Sequence, residues 1–211
     1  MKKIAKFIIL ILWVLLAACS GNREDMRQEF GPGDGAAWIR DGRALPEHDS
    51  LFYLDRPAPM FRKEFRFDGH VDSARLFITA AGYYQATING QPVGMNVLDP
   101  AWTDFSKRIY YAEYNVDSLL KDGMNCLGVV VGNGFYNPLP MRMWGHRNLR
   151  NDLTVGKPVF KAKLVIHYEN GGSEEILTDP SWKYAYGPIL QNSVYLGVVY
   201  DARKEIPGWN L

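Results

Sequence analysis

From Phe61 to Tyr200 the apolar residues recur mainly at every second position, the period of a strand with one face buried. Phe61, Phe65 and Phe67 fall on one face of a first segment, and Leu76, Ile78 and Ala80 on one face of the next. Tyr84, Ala86 and Ile88 then lead into Asn89-Gly90, a pair that tolerates positive φ, and Val93 to Val97 is expected to resume an extended path. The spacing therefore predicts a hairpin at the centre of the chain. Ile109 to Asn115 is aromatic and extended. Val116 to Lys121, ahead of Gly123, is expected to form one or two helical turns capped by Asn115 or Asp117. Cys126 to Val131 returns to strand. Phe160 to Tyr168 and Glu174 to Thr178, separated by Asn170-Gly171-Gly172, predict a second hairpin, with late strands over Trp182 to Tyr186 and Val194 to Tyr200. Many short strands and little helix define an all-β fold: an antiparallel β-sandwich of jelly-roll type with one short helix and a long loop.

The long loop is Gly132 to Gly156, which has two prolines and little periodicity. Connections of this length inside a domain are uncommon and often serve in binding or docking. Phe135, Tyr136 and Trp144 offer flat apolar faces, and Arg142, Arg147 and Arg150 offer donors, a combination suited to the C–H faces and hydroxyls of a sugar. The same loop, through Met141, Met143 and Trp144, equally suits packing against a neighbouring domain. Tyr83 and Tyr84 have the corresponding simple explanation, since aromatic strand residues mostly pack a core.

The N-terminus breaks the two-residue period. Lys2, Lys3 and Lys6 precede an apolar run, Phe7 to Leu16, too short for a comfortable membrane span. Leu16-Ala17-Ala18-Cys19 follows and looks like a bacterial lipobox, which makes Cys19 the candidate lipidation site. The expected organisation is a lipoprotein signal peptide and lipobox over 1–19, a tether and irregular segment over 20–58, and the sandwich over 59–211. Ser20 after the cysteine lacks the aspartate associated with inner-membrane retention. The expectation is an outer-membrane lipoprotein, facing the periplasm or the cell surface and held to the membrane by its lipid anchor.

Charge and motif content exclude several chemistries. Twenty-four Lys and Arg against 23 Asp and Glu leave a net charge of +1, with no basic motif that would indicate a nucleic-acid partner. His48, His70, His146 and His167 have no zinc-like spacing, and no P-loop or nucleophile elbow occurs. Cys126, within an apolar strand, is expected to be a buried free thiol.

One ordered series of short motifs is more specific: Ala81-Gly82-Tyr83-Tyr84, Ile88-Asn89-Gly90, Leu98-Asp99-Pro100, Thr103-Asp104-Phe105 with Lys107-Arg108, Gly132-Asn133-Gly134-Phe135-Tyr136, and Tyr200-Asp201-Ala202-Arg203. In order and spacing, from about Trp38 to Trp209, it resembles the N-terminal β-sandwich of bacterial α-L-rhamnosidases. The resemblance implies a domain that precedes a helical (α/α)6 barrel in the same gene product. That barrel supplies the acid and base carboxylates, so no catalytic residue is assigned to Asp99, Asp104, Asp117, Asp201 or Glu205. It further implies a rhamnose-containing glycan as partner. Some relatives hold rhamnose through calcium, and by position that role carries over to Asn133, Asn192 and Trp144; with Phe135 these form the expected carbohydrate site. Asn133 stands where a carboxylate would favour the cation, so no metal ligands and no firm cofactor are assigned, calcium being the one candidate. Gly197-Val198 departs from the Gly-Glu common in the family. The competing readings are a stand-alone, non-enzymatic glycan-binding surface lipoprotein and a structural spacer.

Overall fold

Tyr83–Ile88 and Gly123–Gly132 lie side by side in antiparallel register, Ala86 opposite Val129 and Ile88 opposite Leu127, and this pair forms the middle of the larger of two sheets. In the computed structural model, which describes residues 30–143, 145 and 147–211, the strands are β1 (Pro59–Phe67), β2 (Val71–Ala81), β3 (Tyr83–Ile88), β4 (Gln91–Pro92), β5 (Ala112–Asn115), β6 (Gly123–Gly132), β7 (Arg142–Met143), β8 (Arg147–Asn148), β9 (Val159–Tyr168), β10 (Ser173–Leu177), β11 (Lys183–Tyr186), β12 (Ile189–Ser193) and β13 (Gly197–Tyr200). One sheet runs in the order β11-β1-β6-β3-β4 and the other β10-β9-β2-β5, both antiparallel; β12-β13 and β7-β8 form separate two-stranded ribbons. The all-β sandwich expected from the two-residue period is the observed fold.

The period also selects the core. Phe61, Phe65 and Phe67 of β1, Ala74, Leu76, Ile78 and Ala80 of β2, Tyr84, Ala86 and Ile88 of β3, and Leu127, Val129 and Val131 of β6 all join one buried cluster with Phe160, Leu164 and Ile166 of β9. Phe160 is its hub, with ring centroids 5.0 Å from Phe61 and 5.4 Å from Trp182. A side chain of this kind contributes roughly 1.5–3 kcal/mol when fully buried. Asn89 (φ 51°) and Gly90 (φ 79°) make the hairpin turn. The Asn89 side chain also bonds into the sheet: its Oδ1 accepts from Cys126 N–H at 3.0 Å and its Nδ2 donates to Leu119 O at 2.9 Å.

Several elements differ from the sequence expectation. After Gly90 the partner strand is only Gln91–Pro92, because Pro92 removes a ladder donor, and the chain bends instead of continuing extended through Val97. The turn before Gly123 is a 3-10 turn over Asp117–Leu119, preceded by Val116, with Asn115 Oδ1 accepting from Asp117 N–H at 3.3 Å. The one α-helix among the described residues, α1 (Leu149–Asp152), lies inside the long loop and is capped by Asn148. Of the late strand expected over Val194 to Tyr200, only Gly197–Tyr200 is strand (β13); Val194–Leu196 is the turn that joins it to β12, an element with no counterpart in the expectation, with Gly197 at φ 78°.

The compact unit spans Ala36–Leu211. Its first residues are already tied down, Ile39 pairing with Phe160 and Ala37 N–H donating to Thr178 O at 2.7 Å. The expected signal peptide, Cys19 and the first part of the tether lie outside the described residues. Among the described residues, no helix is long and apolar enough to cross a membrane.

Candidate functional site

Two of the glycine motifs meet where β3 begins and β6 ends. Gly82 has φ 123°, and a Cβ built on it would lie 2.4 Å from Gly132 O; one built on Gly134 would lie 3.0 Å from the Gly82 carbonyl carbon. This approach of two backbones requires glycine on each side. It fixes the start of the long loop, whose first residue after the strand, Asn133, points toward β12. Asn133 N–H donates to Asn192 Oδ1 at 2.6 Å, and Asn133 Nδ2 donates to Asn192 O at 3.0 Å. Asn133 Oδ1 in turn accepts from Asn137 Nδ2 at 2.8 Å, and Asn137 Oδ1 accepts from Arg150 at 2.9 Å. Arg150 also donates to Pro138 O at 2.6 Å and lies over the Phe52 ring, 4.1 Å from its centroid. Burial lowers the Arg150 pKa below its usual value, partly offset by Asp49. The loop is thus closed on itself by a chain of amide and guanidinium bonds that also holds the β12-β13 hairpin.

A groove of about 240 Å³ opens beside this clamp, with Asn133, Asn137, Gln191, Asn192 and Arg56 as its polar groups and Phe52, Leu54, Leu139, Leu196 and Val199 as its apolar ones. Its lining is amphipathic in the way a pyranose ring is. Desolvation, with Arg43 close by, holds the Arg56 pKa below its usual value. Of the expected carbohydrate-site residues, Asn133 and Asn192 are brought into direct contact here. Phe135 is instead packed between Trp102 (5.3 Å between centroids) and Tyr195 (6.0 Å). Trp144 lies outside the described residues. The contribution of Phe52, Arg56 and Gln191 had no sequence signal, because Phe52 and Arg56 lie in and just after a 3-10 turn at Asp49–Tyr53 with no strand periodicity, and Gln191 lies in β12, ahead of the expected late strand.

The donor set around Asn133 and Asn192 is poor in free oxygens for calcium. The carboxamide oxygens of Asn133 and Asn192 are both engaged in the clamp. The carboxylate lining the adjoining cleft, Asp41, accepts from Arg43 Nε at 2.6 Å and Tyr186 OH at 3.2 Å. Calcium takes 6–8 oxygen ligands, preferably with some charged. Among the described residues no group of three acidic, histidine or cysteine side chains is placed to hold a metal. The residues present do not fit a calcium ion.

The acidic residues of the motif series are occupied structurally. Asp99 is buried, accepts from Tyr84 OH at 2.8 Å and from Tyr114 OH, and pairs its own backbone O with Tyr84 N–H at 2.9 Å. Burial, reinforced by hydrogen bonds to Tyr114 and Asp99, raises the Tyr84 pKa far above its usual value. Asp104 accepts from Ser106 and Lys107, which hold its carboxyl at about 2. Asp201 forms a two-pronged pair with Arg203 (2.8 and 2.9 Å), also holding its carboxyl at about 2. Asp117 Oδ1 accepts from Ala74 N–H at 3.4 Å.

A two-sheet antiparallel sandwich with a clamped loop and an added two-stranded ribbon is a β-sandwich module. The model of the α-L-rhamnosidase N-terminal domain matches residues 69–211, and the chain belongs to that family. It is 37% identical over 152 residues to an α-L-rhamnosidase of Formosa agariphila, covering 72% of this chain and 16% of that protein. An α-L-rhamnosidase of Streptomyces avermitilis is 39% identical over 153 residues, covering 72% of this chain and 14% of that protein. Among solved structures, the native α-L-rhamnosidase of Aspergillus terreus superposes with a TM-score of 0.74 at 36% identity, covering 85% of this chain and 20% of that one. The Streptomyces avermitilis α-L-rhamnosidase in complex with L-rhamnose gives a TM-score of 0.66 at 38% identity, covering 74% of this chain and 15% of that one. The chain spans about a sixth of the length of the curated relatives it matches.

Proposed function

We propose that this chain is the accessory, carbohydrate-binding domain of a lipid-anchored α-L-rhamnosidase, and that a catalytic part outside these residues removes terminal rhamnose from glycans. The observation that carries the reading is the family match over 69–211 together with the amphipathic groove built on Asn133 and Asn192. In this groove one sugar face packs on Leu139, Leu196 and Val199, while Gln191, Arg56 and the Asn192 amide reach ring hydroxyls. Trp144 is a further candidate contact. Hydrolysis with inversion needs two carboxyls about 6.5–9.5 Å apart across the bond, one of them protonated. Asp104 and Asp201, held at about 2, are poor proton donors at neutral pH, which supports placing the chemistry elsewhere.

Titration of L-rhamnose into the 211-residue protein, with and without calcium, tests the binding site. Millimolar dissociation, roughly −4 kcal/mol, is expected for so small a ligand, and it should be independent of calcium. Gln191→Ala and Arg56→Ala should each weaken it several-fold; affinity unchanged in both variants would remove the sugar from this groove. For the anchor, Cys19→Ala is expected to release the protein from membranes or block its processing. Two acyl chains give stable attachment where one is marginal. A processed Cys19→Ala protein that stays membrane-bound would refute anchoring through that thiol.

A further inference from the structure

Arg56 belongs to two adjoining cavities. Besides the groove that holds Gln191 and Leu196, it lines a smaller cleft of about 40 Å³, and the two share Asn133, Asn137 and Asn192 as well. The cleft is cationic: Arg43, Arg56 and Lys157 line it against a single carboxylate, Asp41. That carboxylate is already committed, accepting from Arg43 Nε at 2.6 Å and from Tyr186 OH at 3.2 Å. The lysines that form ion pairs among the described residues are Lys63, Lys107, Lys163 and Lys183, so the Lys157 charge is left for a ligand. Both guanidinium groups are pinned to the backbone. Arg43 donates to Pro57 O at 2.7 Å and lies over the Tyr186 ring, 4.2 Å from its centroid, and Arg56 donates to Ala44 O at 2.6 Å. Burial lowers the Arg56 pKa, and the nearby Arg43 charge lowers it further. Like charges held together on a half-buried site cost stability unless an anion answers them.

We propose that this cleft receives the carboxylate of an acidic sugar linked to the rhamnose, so that the glycan this domain selects is a rhamnosyl uronate and not a neutral rhamnoside. The inference rests on the carbohydrate-binding reading of the groove above. A terminal rhamnose seated in the groove brings its linked neighbour toward Arg56 and the asparagine clamp, which groove and cleft have in common. At about 40 Å³ against about 240 Å³ for the groove, the cleft admits a small planar group and not a second sugar ring. A carboxylate is such a group. Arginine meets it with two parallel N–H···O bonds, and lysine adds a point charge. Because both guanidinium groups are already held in place, little side-chain freedom is lost when the anion enters.

The test is calorimetric titration of the 211-residue protein with α-L-rhamnosyl-D-glucuronate and with its carboxyl-reduced form, α-L-rhamnosyl-D-glucose of the same linkage. The uronate is expected to bind about tenfold more tightly. The difference should shrink between about 0.01 M and 1 M salt, as the screening length falls from roughly 30 Å to 3 Å. Lys157→Gln should remove most of the difference with L-rhamnose affinity and Tm unchanged, and Lys157→Arg should keep it. Equal affinity for the two disaccharides, with L-rhamnose still bound, would overturn the acidic partner and leave the rhamnose groove standing. Failure of L-rhamnose and of both disaccharides to bind would overturn groove and cleft together. A preference that survives Lys157→Gln, or that salt leaves untouched, would put the carboxylate outside this cleft and likewise overturn the proposal. Tighter binding of a sulfated rhamnosyl-glucose than of the uronate would assign the cleft to sulfate and overturn the carboxylate.

Discussion

Asn133→Ala separates a structural clamp from a ligand contact. The substitution removes the 3.0 Å bond from Asn133 Nδ2 to Asn192 O and the 2.8 Å bond that Asn133 Oδ1 accepts from Asn137, while the 2.6 Å bond from the Asn133 N–H to Asn192 Oδ1 survives. Each lost bond contributes about 0.5–1.5 kcal/mol net, and partial burial keeps water from fully replacing them, so the expected cost is about 2 kcal/mol. For a domain of this size 1 kcal/mol moves Tm by roughly 2–4 °C, which gives a fall of about 4–8 °C. Asn192→Ala removes the acceptor of the Asn133 N–H and should cost about 1–3 kcal/mol by leaving that donor unpaired. Calorimetry or fluorescence-monitored urea unfolding of both variants measures this, with amide exchange at residues 189–200 reporting whether the hairpin loosens. An Asn133→Ala protein with unchanged Tm and unchanged exchange would refute the clamp. If such a protein had also lost rhamnose affinity, the side chain would be a ligand contact.

Gly82→Ala should destabilise by about 2–4 kcal/mol, because a methyl group there meets the Gly132 carbonyl at 2.4 Å and φ is 123°; a urea midpoint within error of the parent protein would refute the close approach. Cys126 is buried and burial raises its thiol pKa, so a thiol reagent at pH 8 should modify it only after unfolding, as counted by mass spectrometry on a Cys19→Ser background. The Asp201 carboxyl is lowered from 3.8 to about 2, chiefly by its hydrogen bonds to Arg203. The stabilisation linked to it is therefore present above about pH 4 and is lost as pH falls through about 2. An Arg203→Gln variant should titrate near the ordinary value by carboxyl NMR, and an unmoved Asp201 would refute the pairing.

The two-residue period settled the layers because side chains alternate across a strand whatever surrounds it: Leu76, Ile78, Ala86, Leu127 and Val129 could face only one side, and all are in the core. The turn at Asn89-Gly90 and the buried Cys126 were legible for the same local reason, each depending on residues within a few positions of one another or on one strand. The motif series was sufficient to point to the family, but not to explain why its pieces occur together. That depended on contacts across large sequence separations: Gly82 against Gly132, and Asn133 against Asn192. The strand expected over Val194 to Tyr200 follows from Val194, Tyr195 and Val198, all good strand formers, and only the tertiary structure shows Val194–Leu196 turning back from β12 and leaving both faces of β13 open. The groove was equally hidden, since Phe52 and Arg56 come from an irregular segment whose position is set by Arg150 and the sandwich edge, not by any pattern of its own. Local periodicity determines which face a residue takes; which distant faces meet is decided by packing, and the candidate site is made of such meetings.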